Sequence, residues 1–316
     1  MTTISAATLA RKAQPATGRR AERAFRLAAA SAAAAMLAVL AVMLAKLGQI
    51  SAPAWLEHGR ELLAGTRWAP GRGSFGVVPF LYGTLLTSAI AIILAVPVAV
   101  ATALFLSEVA PGWVRRLLAP LVDLLAAVPS VVYGLWGIFV LVPTLRPLEQ
   151  WLARTFGEAI PLLRGPAPGV GYLTAGVVLA IMILPVISAV SREVFLTVPR
   201  DQREAALALG ATRWETIRIA VLPASRSGVL GAAVLGLGRA LGETIAVTMV
   251  IGNSPSVRAS LLAPGYTMAS VIANEFSEAT SPLHLEALIA VGLLLFAVAL
   301  LVNVLARLLT RGAVRR

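Results

Sequence analysis

Two ionisable residues, Arg239 and Glu243, stand four apart inside the otherwise apolar run 231–253, GAAVLGLGRALGETIAVTMVIGN. On a helix, that spacing puts both on one face. An arginine fork suits a tetrahedral oxyanion and, unlike lysine, stays charged when dehydrated. Either charge alone at the middle of a bilayer costs roughly 2.5–3.5 kcal/mol on insertion scales. Such residues face a bundle interior or an aqueous path and mark function, or they pair with each other and only fix packing. Both readings stand at this point. Gly236, Gly238 and Gly242 lie on the same run and favour close approach of another backbone or a ligand, with Gly238 and Gly242 at small-xxx-small spacing.

Other polar groups sit in apolar surroundings. Ser130 and Tyr133 follow Pro129 and are candidate pathway hydroxyls. Asp123 reads as a partner for Arg115 or Arg116, snorkelling toward a membrane surface. Pro97, Pro129 and Pro185 each remove a backbone hydrogen bond and predict kinks. The sequence holds no Gly-x-x-x-x-Gly-Lys-[Ser/Thr] phosphate cradle and no His-Glu-x-x-His or Gly-x-Ser-x-Gly run. Cysteine is absent and histidine is limited to two positions, so thiol catalysis, a Cys-ligated metal and a histidine metal site are disfavoured. The chain therefore reads as non-catalytic, with no cofactor or metal of its own, and draws energy from a partner or a gradient.

The elements that position these residues follow from composition. Of 316 residues, 58% are hydrophobic and only 13% charged, about half the charge of a soluble domain. Six apolar runs, 27–47, 80–106, 117–142, 171–190, 229–251 and 285–309, are each about long enough to cross some 30 Å of hydrocarbon. None alternates with period two, so a membrane barrel is excluded. The class is an all-α polytopic membrane protein. The first run is too long for a signal-peptide core and reads as a retained helix.

The formal charge of +12 is explained by topology rather than nucleic acid. Eighteen Lys and Arg fall in the N-terminal tail, the loop with Arg115 and Arg116, the segment 191–228 and the C-terminal tail, against seven on the opposite side. The positive-inside rule places both termini and 191–228 in the cytoplasm. The expected organisation is a cytoplasmic tail at 1–26 (disordered up to Gly18), a first helix and outer loop at 27–79, a core at 80–310, and a cytoplasmic tail at 311–316.

Segment 191–228 is the most patterned loop. Asp201 offers a cap for a helix containing Glu204, Ala205 and Ala206. Gly210 predicts a left-handed stop, and a second short helix is expected from about Thr212 to Pro223. The result is a helical hairpin, read either as a solvated amphipathic element or as a docking element.

The spacing Glu204-Ala205-Ala206, three residues, Gly210, then Leu222-Pro223 resembles the EAA loop of ABC-importer permeases. Ala220 stands where that family has Ile before x-Leu-Pro. The run 238–253, together with Ala127-Val128-Pro129-Ser130-Val131-Val132-Tyr133-Gly134-Leu135-Trp136-Gly137 and Ala269-Ser270-Val271-Ile272-Ala273-Asn274-Glu275-Phe276, resembles the C-type permeases of the phosphate-specific (Pst) ABC importers. The resemblance spans roughly 75–310. It implies a type I ABC-importer permease fold in a bacterial inner membrane, half of a pathway for inorganic phosphate. It also implies a sister A-type permease chain, two cytoplasmic ATPase subunits that carry ATP and Mg, and a periplasmic phosphate-binding protein. On that reading Arg239, Glu243, Gly238, Gly242, Thr244 and Ser130 line the pathway. Glu204, Ala205, Ala206 and Gly210 couple to the ATPase. Another oxyanion or a stand-alone secondary transporter are the alternatives.

Overall fold

The computed structural model describes residues 16–314; most of the expected N-terminal tail lies outside them. Met1–Ile50 and Ser51–Arg316 are separate compact units. Helix α1, Ala16–Ala64, runs through the first and into the second. It already includes Ala16–Gly18, and it continues well past the end expected at 47. The outer loop is correspondingly shorter and closes with a small antiparallel ribbon, β1 (Trp68–Ala69) with β2 (Ser74–Phe75).

Among the described residues, six helical stretches are long and apolar enough to cross a membrane: Glu22–Ala64, Val78–Val109, Ser130–Phe156, Tyr172–Leu196, Arg213–Gly242 and Pro282–Leu308. The number matches the sequence reading; the third is displaced. Residues 117–126 belong to a separate helix, α3 (Gly112–Ala126), none of whose residues is buried. The chain then breaks at Pro129, and the span is α4 (Ser130–Trp136) continued by α5 (Val142–Phe156). Apolar content alone merged two helices that a proline separates. Asp123 on α3 reaches Arg192 at 3.4 Å. Arg115 instead donates to the Leu106 and Ser107 carbonyls at 2.7 and 2.6 Å, so the expected Asp123–Arg115 or Asp123–Arg116 pair is replaced by a link between α3 and the fourth span.

Prolines act elsewhere than expected. Pro97 lies within α2 (Val78–Leu104) and Pro185 within α6 (Tyr172–Leu196), and both helices continue. Three widened π turns, Phe105–Val109, Gly137–Leu141 and Ile217–Val221, each end two residues before a proline: Pro111, Pro143 and Pro223. Within a continuing helix a proline ring clashes with the carbonyl four residues back, and for Pro143 and Pro223 that carbonyl lies in the widened turn, where the extra residue gives it room. Before Pro111 the helix has already ended at the extended Ala110.

The core forms where α2 meets α6. Ala91, Ala95 and Ala99, one turn apart on α2, are buried with Val178, Leu179, Met182, Ile183 and Ile187 of α6. Small residues let the backbones approach, which is how helices associate where lipid offers no hydrophobic drive. Helix α9 (Leu222–Gly242) packs on α6 through Gly236, where an added Cβ would lie 2.6 Å from the Ile187 side chain. A second cluster joins Leu62, Trp68, Phe75 and Phe80 to α11 (Met268–Glu275) and the start of α12 (Pro282–Val314).

Candidate functional site

The fifth span does not run unbroken through the run 231–253. Helix α9 ends at Gly242, Glu243 is extended (φ −70°, ψ 130°), and a short helix α10 (Ile245–Val250) follows. The expected shared helix face for Arg239 and Glu243 is therefore lost. Among the described residues no ion pair joins them. The Glu243 carboxylate turns forward and accepts from the Ala246 N–H at 3.3 Å, satisfying one of the donors left open at the start of α10. Thr244 Oγ1 donates to the Gly242 carbonyl at 3.3 Å. An interrupted helix at membrane depth is tolerated only where protein or a water-filled cavity surrounds the freed backbone.

Arg239 occupies the last turn of α9, where the helix dipole favours a cation. It is half-buried and opens into a cavity of about 1020 Å³ between α6, α9 and α12. The wall is mostly apolar, with Val186, Val234, Leu235, Phe296, Leu300 and Val304; among the described residues its polar side chains are Arg239, Asn303 and Arg307, and none is a carboxylate. Arg239 is the feature of this wall that suits an anion. Gly238 faces Asn303, whose amide atoms lie 3.6 Å from where its Cβ would be, and Gly242 has open space around it. Of the three glycines, only Gly236 makes the close helix contact that the sequence suggested.

Ser130 opens α4 and is half-buried. An added Cβ at Gly134 would meet Met249 and Ala246, and one at Gly137 would meet Val250. These contacts run α4 and α10 in the same direction. Ser130 and Thr244 thus stand at the same end of the pair. Tyr133 is buried and its hydroxyl donates to the Leu125 carbonyl at 2.8 Å, which spends that hydroxyl on the bend at Pro129.

The charged hairpin is built largely as its sequence suggested. Helix α7 (Arg200–Ala208) ends in Gly210 with φ +86°, a backbone that glycine adopts without strain. Asp201 sits in the first turn of α7 but makes no side-chain cap. Helix α8 (Arg213–Thr216) starts with a reciprocal capping box between Thr212 and Glu215. It does not stop at Pro223; the π turn carries it into α9. Glu204, Ala205 and Gly210 are exposed, whereas Ala206 is buried and so faces the body of the protein. Leu209, Trp214 and Leu207 present an apolar patch instead, Leu209 being 89% exposed.

Sequence reasoning missed the anchor of this hairpin. Arg203 on α7 makes a two-pronged pair with Glu108, at 2.8 and 3.2 Å, in the π turn ending the second span. It also donates to the Phe195 carbonyl at 2.7 Å and to the Val198 carbonyl. Glu108 ends an apolar run and was the available signal. At the other end of the span set, Glu275 accepts from Trp68 Nε1 at 2.8 Å and meets His284 at 3.0 Å. These two residues border a cavity of about 750 Å³ that Tyr266 also lines. Burial pushes the Tyr266 phenol up, against a lowering bond from Asn274, so it stays neutral.

Residues 95–315 match the family described as binding-protein-dependent transport system inner membrane component. The chain belongs to that family. This permease is 48% identical over 248 residues to the phosphate transport system permease protein PstC of Xylella fastidiosa, covering 77% of this chain and 76% of that one. It is 45% identical over 253 residues to PstC of Mesorhizobium japonicum, covering 79% and 77%. It is 49% identical over 245 residues to PstC 2 of Mycobacterium tuberculosis, covering 76% of each. Among solved structures, a bacterial ABC transporter involved in import of the acidic polysaccharide alginate matches with TM-score 0.62 and 16% identity, over 94% of this chain and 98% of that one. The MetNI methionine ABC transporter matches with TM-score 0.54 and 16% identity, over 74% and 96%. These likenesses establish the type I ABC-importer permease fold.

Proposed function

We propose that this permease is the C-type subunit of an ATP-driven phosphate importer and forms half of the translocation pathway. The substrate assignment is carried by similarity, at 45–49% identity over about three quarters of the chain, to permeases named for phosphate transport. The cavity at Arg239, which has no carboxylate among its described lining residues, supports it. Gly238, Gly242, Glu243, Thr244 and Ser130 border the same broken-helix region and complete the proposed path.

The chain itself is non-catalytic on this reading. Two cytoplasmic ATPase subunits hydrolyse ATP with Mg, a sister A-type permease supplies the other half of the pathway, and a periplasmic phosphate-binding protein delivers the anion. Phosphate uptake by a deletion strain grown under phosphate limitation tests the reading. Loss of high-affinity uptake, restored by this chain, is expected; unchanged uptake refutes it.

Both termini and the hairpin are cytoplasmic, as the asymmetry of Lys and Arg supports. The chain lacks cysteine, so Thr212→Cys gives a single labelling site. An impermeant thiol reagent is expected to reach it only after the membrane is opened. Labelling from the periplasmic side of intact cells refutes this orientation.

Glu204, Ala205 and Gly210 couple to the ATPase together with the patch at Leu207, Leu209 and Trp214, while Ala206 holds the hairpin in shape. Leu209→Arg is expected to weaken ATPase association at least about tenfold, as loss of a central apolar anchor does, without disturbing insertion. Co-elution of the ATPase in mild detergent measures it, and full retention by the variant removes Leu209 from the interface.

A further inference from the structure

One buried carboxyl group has no part in the proposed path. Glu149, on α5 near the end of the third span opposite the hairpin, is only 1% exposed. The charged residues on the elements around it, Arg146 and Arg154 of α5, Glu158 and Arg164 in the loop that follows, and Arg258 in the loop after α10, are all exposed. Helix α6 carries no charge before Arg192, and among the described residues no ion pair reaches Glu149. A carboxylate buried without a cation is costly enough that the group takes a proton instead.

The hydrogen bonds point the same way. Thr174 Oγ1 lies 2.9 Å from Glu149 Oε1 and 2.7 Å from the Gly169 carbonyl oxygen. A threonine hydroxyl has one proton, and a carbonyl only accepts. With Glu149 ionised, two acceptors compete for that proton, and Oε2 keeps a share of the charge while buried without a partner. With Glu149 protonated, the acid donates to Thr174 and Thr174 donates to Gly169. Each proton then has its own acceptor, and an orphaned neutral carbonyl costs far less than an orphaned charge. The Gly169 backbone also borders the carboxyl, but either form accepts from an N–H, so the Thr174 proton decides.

Thr174 stands at a junction. Just before it, the Tyr172 N–H donates to the Ala263 carbonyl at 3.2 Å and the Leu173 N–H to the Leu261 carbonyl at 2.8 Å, while the Leu261 N–H donates to the Leu162 carbonyl at 2.8 Å. The loops after the third span and after α10 therefore meet on the start of α6, and Glu149 ties the third span into the same place.

We infer that Glu149 is a proton-binding site that latches the third span to the fourth at this end of the bundle. With the spans joined, the acid O–H is held by Thr174. When they part, water enters, the O–H bond breaks and the proton passes to water, leaving a hydrated carboxylate. The site does not rest on the phosphate reading. Its sign follows from linkage. The parted form ionises near the ordinary glutamate value of about 4.3. Above that, each pH unit favours parting about tenfold, until the joined form loses its proton as well. Low pH holds the latch and high pH loosens it.

The test uses the full chain purified in mild detergent with the subunits it retains. Glu149→Gln imitates the protonated acid, since its amide donates to Thr174 and keeps an acceptor. The infrared difference between parent and Glu149→Gln at neutral pH is expected to show the C=O stretch of a protonated carboxylic acid in the parent alone. Thr174→Val keeps Glu149 and removes its acceptor; it is expected to shift that band, which assigns it even if Glu149→Gln fails to assemble. Parting is read on the cysteine-free chain by thiol labelling of Ala167→Cys, buried in the loop beside Gly169, relative to Arg164→Cys, exposed in the same loop. Between about pH 6 and about pH 8 that ratio is expected to rise at least about fivefold with Glu149 in place and to stay within about twofold in Glu149→Gln. A parent with no acid band at neutral pH overturns the inference. So does a labelling ratio that stays flat with Glu149 in place, or that climbs equally in Glu149→Gln.

Discussion

Arg239→Gln is expected to abolish phosphate uptake, by about a hundredfold or more, in a complex that still inserts and assembles. A hundredfold is about 2.7 kcal/mol of lost stabilisation, within reach of one guanidinium positioned on the path of an anion. Insertion should survive because no ion pair to Arg239 is seen among the described residues, so its removal strands no opposite charge. Glu243 is satisfied separately at the start of α10. Glu243→Gln keeps an acceptor for the Ala246 N–H and should leave the helix break in place. The two positions therefore predict a specific outcome for the double variant. If they were a structural ion pair, removing both charges would restore what either single change lost. In this geometry the double Gln variant should be at least as defective as Arg239→Gln. Arg239→Lys separates charge from shape, since it keeps the charge and loses the fork; partial uptake is expected. Uptake is normalised to assembled complex. Near-native uptake in the double variant would reduce Arg239 and Glu243 to a packing device.

The behaviour of this region shows what a linear pattern can and cannot convey. That Arg239 and Glu243 are unusual was legible, because a charge in an apolar run has few tolerable environments. Their relation was not, because four-residue spacing implies a shared face only while the helix lasts. Nothing in Gly242-Glu243-Thr244 forces a break by propensity alone; glycine weakens a helix by only about 1 kcal/mol. Beyond the break, α10 packs closely against the third span at Gly134 and Gly137, a tertiary contact that no local pattern conveys. Asn303 and Arg307 were illegible for the opposite reason. They are ordinary at the end of a span, and only the cavity unites them with Arg239 across about 65 residues of sequence.

Six spans were legible from apolar length, but helix ends were not. Residues 117–142 satisfy the length criterion, yet Pro129 divides them, and α3 lies apart from the span. Widened turns escaped notice because a proline was read as kinking its own position. Here the adjustment falls in the turn before it, at Pro143 and Pro223. The hairpin was more legible, since its stop at Gly210 and its start at Thr212 are local chemistry. What holds it in place is not local. Arg203 and Glu108 are 95 residues apart.

That anchor carries the second large expected effect. Arg203 joins three elements: α7 of the hairpin, the π turn at the end of the second span through Glu108, and the end of the fourth span through the Phe195 and Val198 carbonyls. The side chains of Arg203 and Glu108 are only 19% and 13% exposed. Removing one partner of such a pair leaves an uncompensated charge and costs about 3–5 kcal/mol, whereas a surface pair contributes at most about 1 kcal/mol. A push on α7 by a partner reaches two spans only while this junction holds. Arg203→Ala is therefore expected to leave the complex able to hydrolyse ATP but to lower phosphate moved per ATP by about tenfold or more. Glu108→Ala should uncouple less, because Arg203 keeps its carbonyl acceptors. The double variant should be no worse than Arg203→Ala, since both changes break one junction and their effects do not add. Uptake and hydrolysis measured on the same vesicles give the ratio. A native ratio in Arg203→Ala would mean that the hairpin moves the spans by another route. The continuous path from α8 through the widened turn at Ile217–Val221 into α9 would then be the element that carries the stroke, and it ends in the turn that holds Arg239.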